Sequence, residues 1–217
     1  MESVILTKPG EVANALQELE LDPQVLRESI LSGEAARSAC TENDPASAPG
    51  FHSWSYTTRR LRELTIPRGW TRKDLDGLAL VISPSKRVAV AVSTGDAQTG
   101  KVKPSVHPHS KYPKGPATQI VVAQNHTLQP FLFPEMQVLL ETPAEVAATW
   151  QTWLLMRRWD RDTEQLYYEL SLPWALDGDL YVVEWARRLV FEPISFKPTI
   201  HDEPEENPID VPVKRRT

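Results

Sequence analysis

Cysteine is almost absent. The 217 residues include one, Cys40, so no intrachain disulfide and no cysteine-based zinc cluster can be built. Cys40 lies among serine, alanine, glutamate and asparagine with no cationic cluster beside it, which argues against a reactive thiolate. Long apolar runs are also missing. No stretch approaches the roughly 18 consecutive apolar residues of a membrane helix. The start of the chain carries Lys8 and no apolar run, so no signal peptide is expected. These absences predict a soluble, cytoplasmic protein in a reducing compartment, with no membrane partner. Glycine is sparse at 9 residues, whereas proline, at 19, interrupts the chain too often for an all-helical bundle.

What is present is ordinary in amount and uneven in place. With 41% hydrophobic and 24% charged residues, the chain can bury a core without staples. The segment from His52 to Pro116 holds 12 basic and 4 acidic residues, a net charge of +8. The remainder holds 12 basic and 25 acidic residues, a net charge of −13. Such asymmetry attracts polyanions if the cations share a face. The competing reading is internal: the basic middle meets the acidic rest.

Along the chain, residues 1–33 read as a helical pair. Leu16, Leu19 and Leu21 follow a start near Pro9 and Glu11. Asp22 and Pro23 open a second helix as N-cap and first helical residue, with Val25, Leu26, Ile30 and Leu31 on its apolar face and Gly33 as its stop. Residues 34–50 read as a loop. Residues 51–64, with Phe51, Trp54, Leu61 and Leu64 between arginines, read as a short amphipathic helix or an irregular arm. Two apolar runs, Leu78–Ile82 and Val88–Val92, flank a Pro/Ser turn and predict an antiparallel hairpin, central and buried on both faces. Residues 94–117 form a long loop.

A helix is expected from Pro116 to about Asn125, although Ile120-Val121-Val122 suits a strand equally, and a strand is expected around Phe131, Phe133 and Val138–Leu140. Thr142 and Glu145 form a capping box for a short helix. A second hairpin spans 150–172, turning at Asp160–Glu164. In its return strand Leu166, Tyr168, Leu170 and Leu172 alternate with Tyr167, Glu169 and Ser171, so the latter face is expected in solvent. Pro173 should end that strand. Val182, Trp185, Ala186 and Leu189 lie at helical spacing, and Val190–Phe196 reads as a last extended segment. From Lys197 onward, prolines and acids indicate a tail without a core of its own. The chain is thus expected to be one α+β domain, 1–196, plus a tail, 197–217. An N-terminal helical pair should precede a mostly antiparallel sheet of about five to six strands, with one or two packed helices.

No motif is specific enough to assign a family. Gly95-Asp96-Ala97-Gln98-Thr99-Gly100-Lys101-Val102 nearly matches a phosphate-binding loop. Val102 lacks the hydroxyl that would hold magnesium, however, and Pro104 and Pro108 oppose the helix that should follow. Asp74 and Asp76 resemble half of a metal-dependent nuclease site, but the next strand, Val88–Val92, carries no charge. His107 and His109, two residues apart, suit metal binding or acid–base work on phosphate esters, with Lys101 or Lys111 stabilising charge.

The preferred reading is a non-catalytic binding, adaptor or inhibitor protein. Its basic surface would engage nucleic acid or an acidic or nucleoprotein partner through Arg59, Arg60, Arg62, Arg68, Arg72, Lys73, Lys86, Arg87, Lys101, Lys103, Lys111 and Lys114. Trp54, Trp70 and Tyr112 lie among these cations as stacking candidates. No cofactor and no metal centre are implied. The alternative is a phosphodiesterase-like enzyme using His107, His109, Lys101 and Lys111.

Overall fold

The computed structural model describes residues 3–102, 107–128 and 150–196. After a short strand β1 (Val4–Leu6) come three helices, α1 (Pro9–Glu18), α2 (Pro23–Ser38) and α3 (Ala48–Thr65). Each has a proline in its opening turn, where the missing N–H costs no helical hydrogen bond. Asp22 caps α2 by accepting from the Gln24 N–H at 2.8 Å.

Gly33 does not stop α2. The helix continues to Ser38, and α3 already begins at Ala48, so the expected 34–50 loop shrinks to 39–47. The glycine serves packing instead. A Cβ at Gly33 would stand 1.9 Å from Thr57 Oγ1 and 2.5 Å from the Ser53 carbonyl oxygen of α3. Its absence lets the two helices approach closely. The 51–64 segment is helical throughout.

A 3-10 turn (Ile66–Arg68) leads into β2 (Thr71–Leu75), β3 (Leu78–Ile82) and β4 (Val88–Thr94). Helix α4 (Pro116–Leu128) follows, then β5 (Gln151–Asp160), β6 (Gln165–Leu176), β7 (Val182–Val190) and β8 (Ile194–Ser195). The fold is α+β. Its eight-stranded sheet runs in the order β1-β7-β6-β5-β4-β3-β2, with β8 beside β6. Five pairings are antiparallel, and β1/β7 and β4/β5 are parallel. Both expected hairpins are present, as β3/β4 and β5/β6. The expected strand count was too low, because β1, β2 and β7 have no clean apolar alternation.

Three expectations fail, for related reasons. Residues 182–190 form a strand rather than a helix. Val182 and Trp185 pack in one core, Ala186 and Leu189 in the other. A strand buried on both faces, with register shifts against β6, mimics helical spacing. Pro173 does not end β6, which continues to Leu176 with those same shifts. The third concerns Glu169 and Ser171, which are not in solvent: both are 0% exposed. The strand expected at 131–140, the helix at Thr142 and the tail 197–217 lie outside the described residues.

The larger core joins Leu16, Leu26, Ile30 and Leu61 of the helices to Val88, Val90, Trp153, Leu155 and Leu170 on one sheet face. On the opposite face Leu80, Ala89, Leu154, Met156 and Trp185 make a smaller core. Helix α4 covers part of that side. Its buried Asn125 donates to the carbonyls of Thr152 and Pro173 and accepts from the Thr152 N–H.

The segment after β4 also lies on this side. Its Gly100 N–H donates to Glu169 Oε2 at 2.8 Å, and its Lys101 carbonyl accepts from Arg188 Nη2 at 3.1 Å. Arg188 and Glu169, each 0% exposed, bond at 2.6 and 3.0 Å, and Ser171 Oγ adds a bond to Glu169 at 2.7 Å. Further along, the Pro108 carbonyl accepts from Trp185 Nε1, and Ser110 exchanges bonds with Val182.

Removing one partner of a buried ion pair strands the other charge away from water. Arg188→Met or Glu169→Gln should therefore lower stability by about 3–5 kcal/mol in urea unfolding. Gly33→Ala should destabilise by about 1–3 kcal/mol or more through overpacking, and pairing it with Thr57→Ala should recover part of that loss in the same measurement.

Candidate anion-binding groove

The arginines of α3 and the turn after it do not stand free. Arg59 pairs with Glu63 at 2.8 Å, Arg60 with Glu28 at 2.9 Å, Arg62 with Asp74 at 2.6 Å and Arg68 with Asp22 at 3.1 Å. The Arg59 bond holds the Glu63 carboxyl below its ordinary range. On β2, Arg72 and Lys73 are exposed, and the Lys73 ammonium lies 5.2 Å from the Trp150 ring centroid. Lys86 and Arg87 occupy the exposed β3/β4 turn, where Arg87 Nε donates to Ser85 Oγ. The arm thus meets carboxylates of its own chain, as the internal reading of the charge asymmetry expects.

The aromatic candidates divide similarly. Trp70 is 4% exposed and belongs to the core. Trp54 is half-buried against that core. Tyr112 is 56% exposed.

His109 is exposed, and its carbonyl accepts from the Asp96 N–H. His107 Nδ1 is buried without a partner among the described residues. Neither imidazole makes a hydrogen bond or ring contact with the other, with Lys101 or with Lys111 among those residues. Lys101 lies over Tyr167 at 5.9 Å instead. No group of His, Cys, Asp or Glu among the described residues suits a metal ion. In the glycine-rich loop, the Gly100 N–H that would face a phosphate is already taken by Glu169. Asp74 lies within β2 and Asp76 in the turn after it, with φ 41°. Lys103 is outside the described residues.

Cations do converge elsewhere. A groove of about 510 Å³ lies between the start of α3, the end of α2, the ends of β4 and β5, and the segment carrying Lys111. Arg37, Lys111, Arg157, Arg158 and Arg161 line it, and among the described residues no carboxylate does. The parallel pairing of β4 with β5 sets Thr94 opposite Arg157, and the Gly95 N–H donates to the Arg157 carbonyl. Alternation along β5 sends Arg157 to the side of Trp153 and Leu155, facing the helices.

Arg37 is bound to Glu34 through bonds of 2.8 Å and stacks 4.8 Å over the Trp159 ring. Arg158 pairs with Asp160 at 2.9 Å and stacks 4.5 Å over Tyr167. Arg157 has neither comfort. It is 4% exposed, and its Nε has no acceptor among the described residues. Burial lowers its guanidinium to about 10, opposed in part by the field of Glu34. It therefore stays charged at neutral pH, with its desolvation uncompensated at Nε by any hydrogen bond among the described residues. Arg161 and Lys111 likewise have no carboxylate partner among the described residues.

Beyond Tyr112, a second cavity of about 280 Å³ is lined by Trp54, Asp76, Ser93 and Lys114. Lys114 Nζ donates to Ser93 Oγ at 2.8 Å, and burial lowers the amine from 10.5 to about 8.

Four of the five groove cations were missed from the sequence, because Arg37, Arg157, Arg158 and Arg161 lie outside the basic middle. The available signal was Arg157-Arg158 inside the apolar run from Trp153 to Trp159. Adjacent cations in a core strand need a reason.

Comparison with models of known protein families, with curated proteins and with solved structures finds no match. What defines the class is therefore the geometry: an α+β domain with a cationic groove at the end of its sheet. Among the described residues no helix is long and apolar enough to cross a membrane.

An amine whose folded value lies below its unfolded one binds fewer protons when folded, so stability rises with pH across that interval. For Lys114 the interval runs from about 8 to 10.5, and the penalty is complete below it. Lys114→Met should be more stable than the parent at pH 7 by about 1–3 kcal/mol. Urea unfolding at successive pH values should show that difference shrinking as pH approaches 10.5.

Proposed function

We propose that this protein is a non-catalytic binding protein whose groove receives the phosphates of a nucleic acid. One observation carries the reading: of five cations lining a single groove, Arg157, Lys111 and Arg161 have no carboxylate partner among the described residues, and the Nε of buried Arg157 has no acceptor among them. A guanidinium placed so is short of an oxygen acceptor, and phosphate oxygens match its fork of donors. Low-dielectric walls strengthen the attraction and focus the field outward.

The binding surface in this proposal differs from the basic middle read as a block. Lys111 and Tyr112 belong to it. Arg59, Arg60, Arg62 and Arg68 are held by carboxylates of the same chain, so they offer a partner less net charge. A cytoplasmic setting is part of the proposal and rests on the free thiol of the single cysteine, Cys40.

Mixed-sequence DNA and RNA oligonucleotides, titrated by fluorescence anisotropy across a range of salt concentrations, test the reading. Affinity should fall steeply as salt rises, as counterion release requires. Arg157→Met and Lys111→Gln should each weaken binding about tenfold or more and flatten the salt slope by about one phosphate contact. A flat salt response in the parent protein, or unchanged binding in both variants, would remove nucleic acid as the partner.

A further inference from the structure

Two rings stand at the groove with little cover. Phe51 is 59% exposed and Tyr112 is 56% exposed. Both line the same cavity as Arg157, one from the start of α3 and one from the segment after β4. An exposed aromatic ring is unremarkable singly. Two of them bordering a cationic groove with no carboxylate among its described lining residues are a different observation.

Phe51 is held through its ring and Tyr112 through its backbone. Phe51 meets His52 edge-on, at 5.8 Å between centroids and 72°, and Trp54 at 6.0 Å and 49°. The Tyr112 carbonyl accepts from Ser110 Oγ at 3.0 Å, which ties its backbone to the pairing with β7. The third ring in the groove, Trp159, is already engaged. Arg37 covers it at 4.8 Å, and Phe196 meets it edge-on at 5.4 Å. Tyr112 has the Lys111 ammonium 5.5 Å from its ring centroid but stays more than half exposed, as does Phe51, so these two rings keep a face open to something flat.

From this arrangement we infer that the groove takes a single strand of nucleic acid, with bases stacked on Phe51 and Tyr112 and phosphates on Arg157, Lys111 and Arg161. The inference rests on the phosphate-binding reading above and adds the form of the ligand. A duplex keeps its base faces covered by neighbouring pairs, so these rings would find nothing to stack on. A cavity of about 510 Å³ is also the size of a small-ligand cleft, too small to take in a double helix. Stacking on rings beside cations gives largely sequence-tolerant binding, because every base has a π-face.

The test uses the full chain and three labelled probes: a 12-nucleotide oligo-uridine, a 12-base-pair RNA duplex and inorganic polyphosphate. Oligo-uridine should bind at least tenfold more tightly than the duplex. Phe51→Ala and Tyr112→Ala should each weaken oligo-uridine binding between about 5-fold and about 100-fold, while polyphosphate affinity stays within about twofold. Tyr112→Phe should keep the parent affinity, since a ring remains. Both alanine changes are at exposed positions, and circular dichroism melts confirm that the variants fold. Equal affinity for strand and duplex, unaltered oligo-uridine binding in both alanine variants, or no oligo-uridine binding at all would overturn the inference. Polyphosphate binding that Arg157→Met abolishes would leave the broader phosphate reading standing even then; loss of polyphosphate binding by the parent would sink both.

Discussion

Two opposite charges sit in the sheet with no water reaching either. Glu169 on β6 and Arg188 on β7 bond to each other and to the backbone of the segment after β4. A carboxylate taken out of water needs its lone pairs filled, and this one accepts from Arg188, Ser171 and Gly100. The segment is therefore not a free loop: it supplies one bond to each member of a buried pair, although Arg188 Nη1 has no partner among the described residues. Other bonds set the ends of the segment: the Gly95 N–H donates to the Arg157 carbonyl, the Lys111 N–H donates to the Thr94 carbonyl, and Pro108 and Ser110 bond to Trp185 and Val182 of β7. One wall of the groove, Lys111 and Tyr112, is thus held against β4 and β7.

The opposite wall depends on helix packing. Gly33 lets α3 lie close against α2, which carries Arg37 at the end of one helix and Phe51 at the start of the next to the ends of β4 and β5. The central parallel pairing, β4 with β5, then sets Arg157 between the two walls. Charge behaves differently in the two cationic regions for a physical reason. Exposed pairs such as Arg59 with Glu63 gain little in stability, yet they cancel much of the field a distant ligand would feel. In the groove, carboxylates neutralise Arg37 and Arg158, whereas Arg157, Lys111 and Arg161 keep their charge beside low-dielectric walls.

Much of the fold was legible wherever a local signal had one interpretation. Asp22-Pro23 marked a helix start, the Pro/Ser turn at 83–87 marked a hairpin, and Asp160–Glu164 marked another. Legibility failed where burial on both faces erased alternation, as in β7, and where polar residues faced inward. Tyr167, Glu169 and Ser171 looked like a wet face because polar residues usually are; only a covering segment distant in sequence makes Glu169 and Ser171 buried. The groove was legible at Lys111 and Tyr112 alone. Its other cations come from α2, β5 and the turn after it, and no window of sequence contains them together.

Composition and short-range pattern, then, determined the α+β class, the helical start, the two hairpins and the uneven charge, since each follows from periodicity or from a count. Which charges cancel and which converge was decided by tertiary structure. Coulomb interaction depends on distance and on what fills the space between, and the chain order of Arg37, Lys111 and Arg157 contains neither.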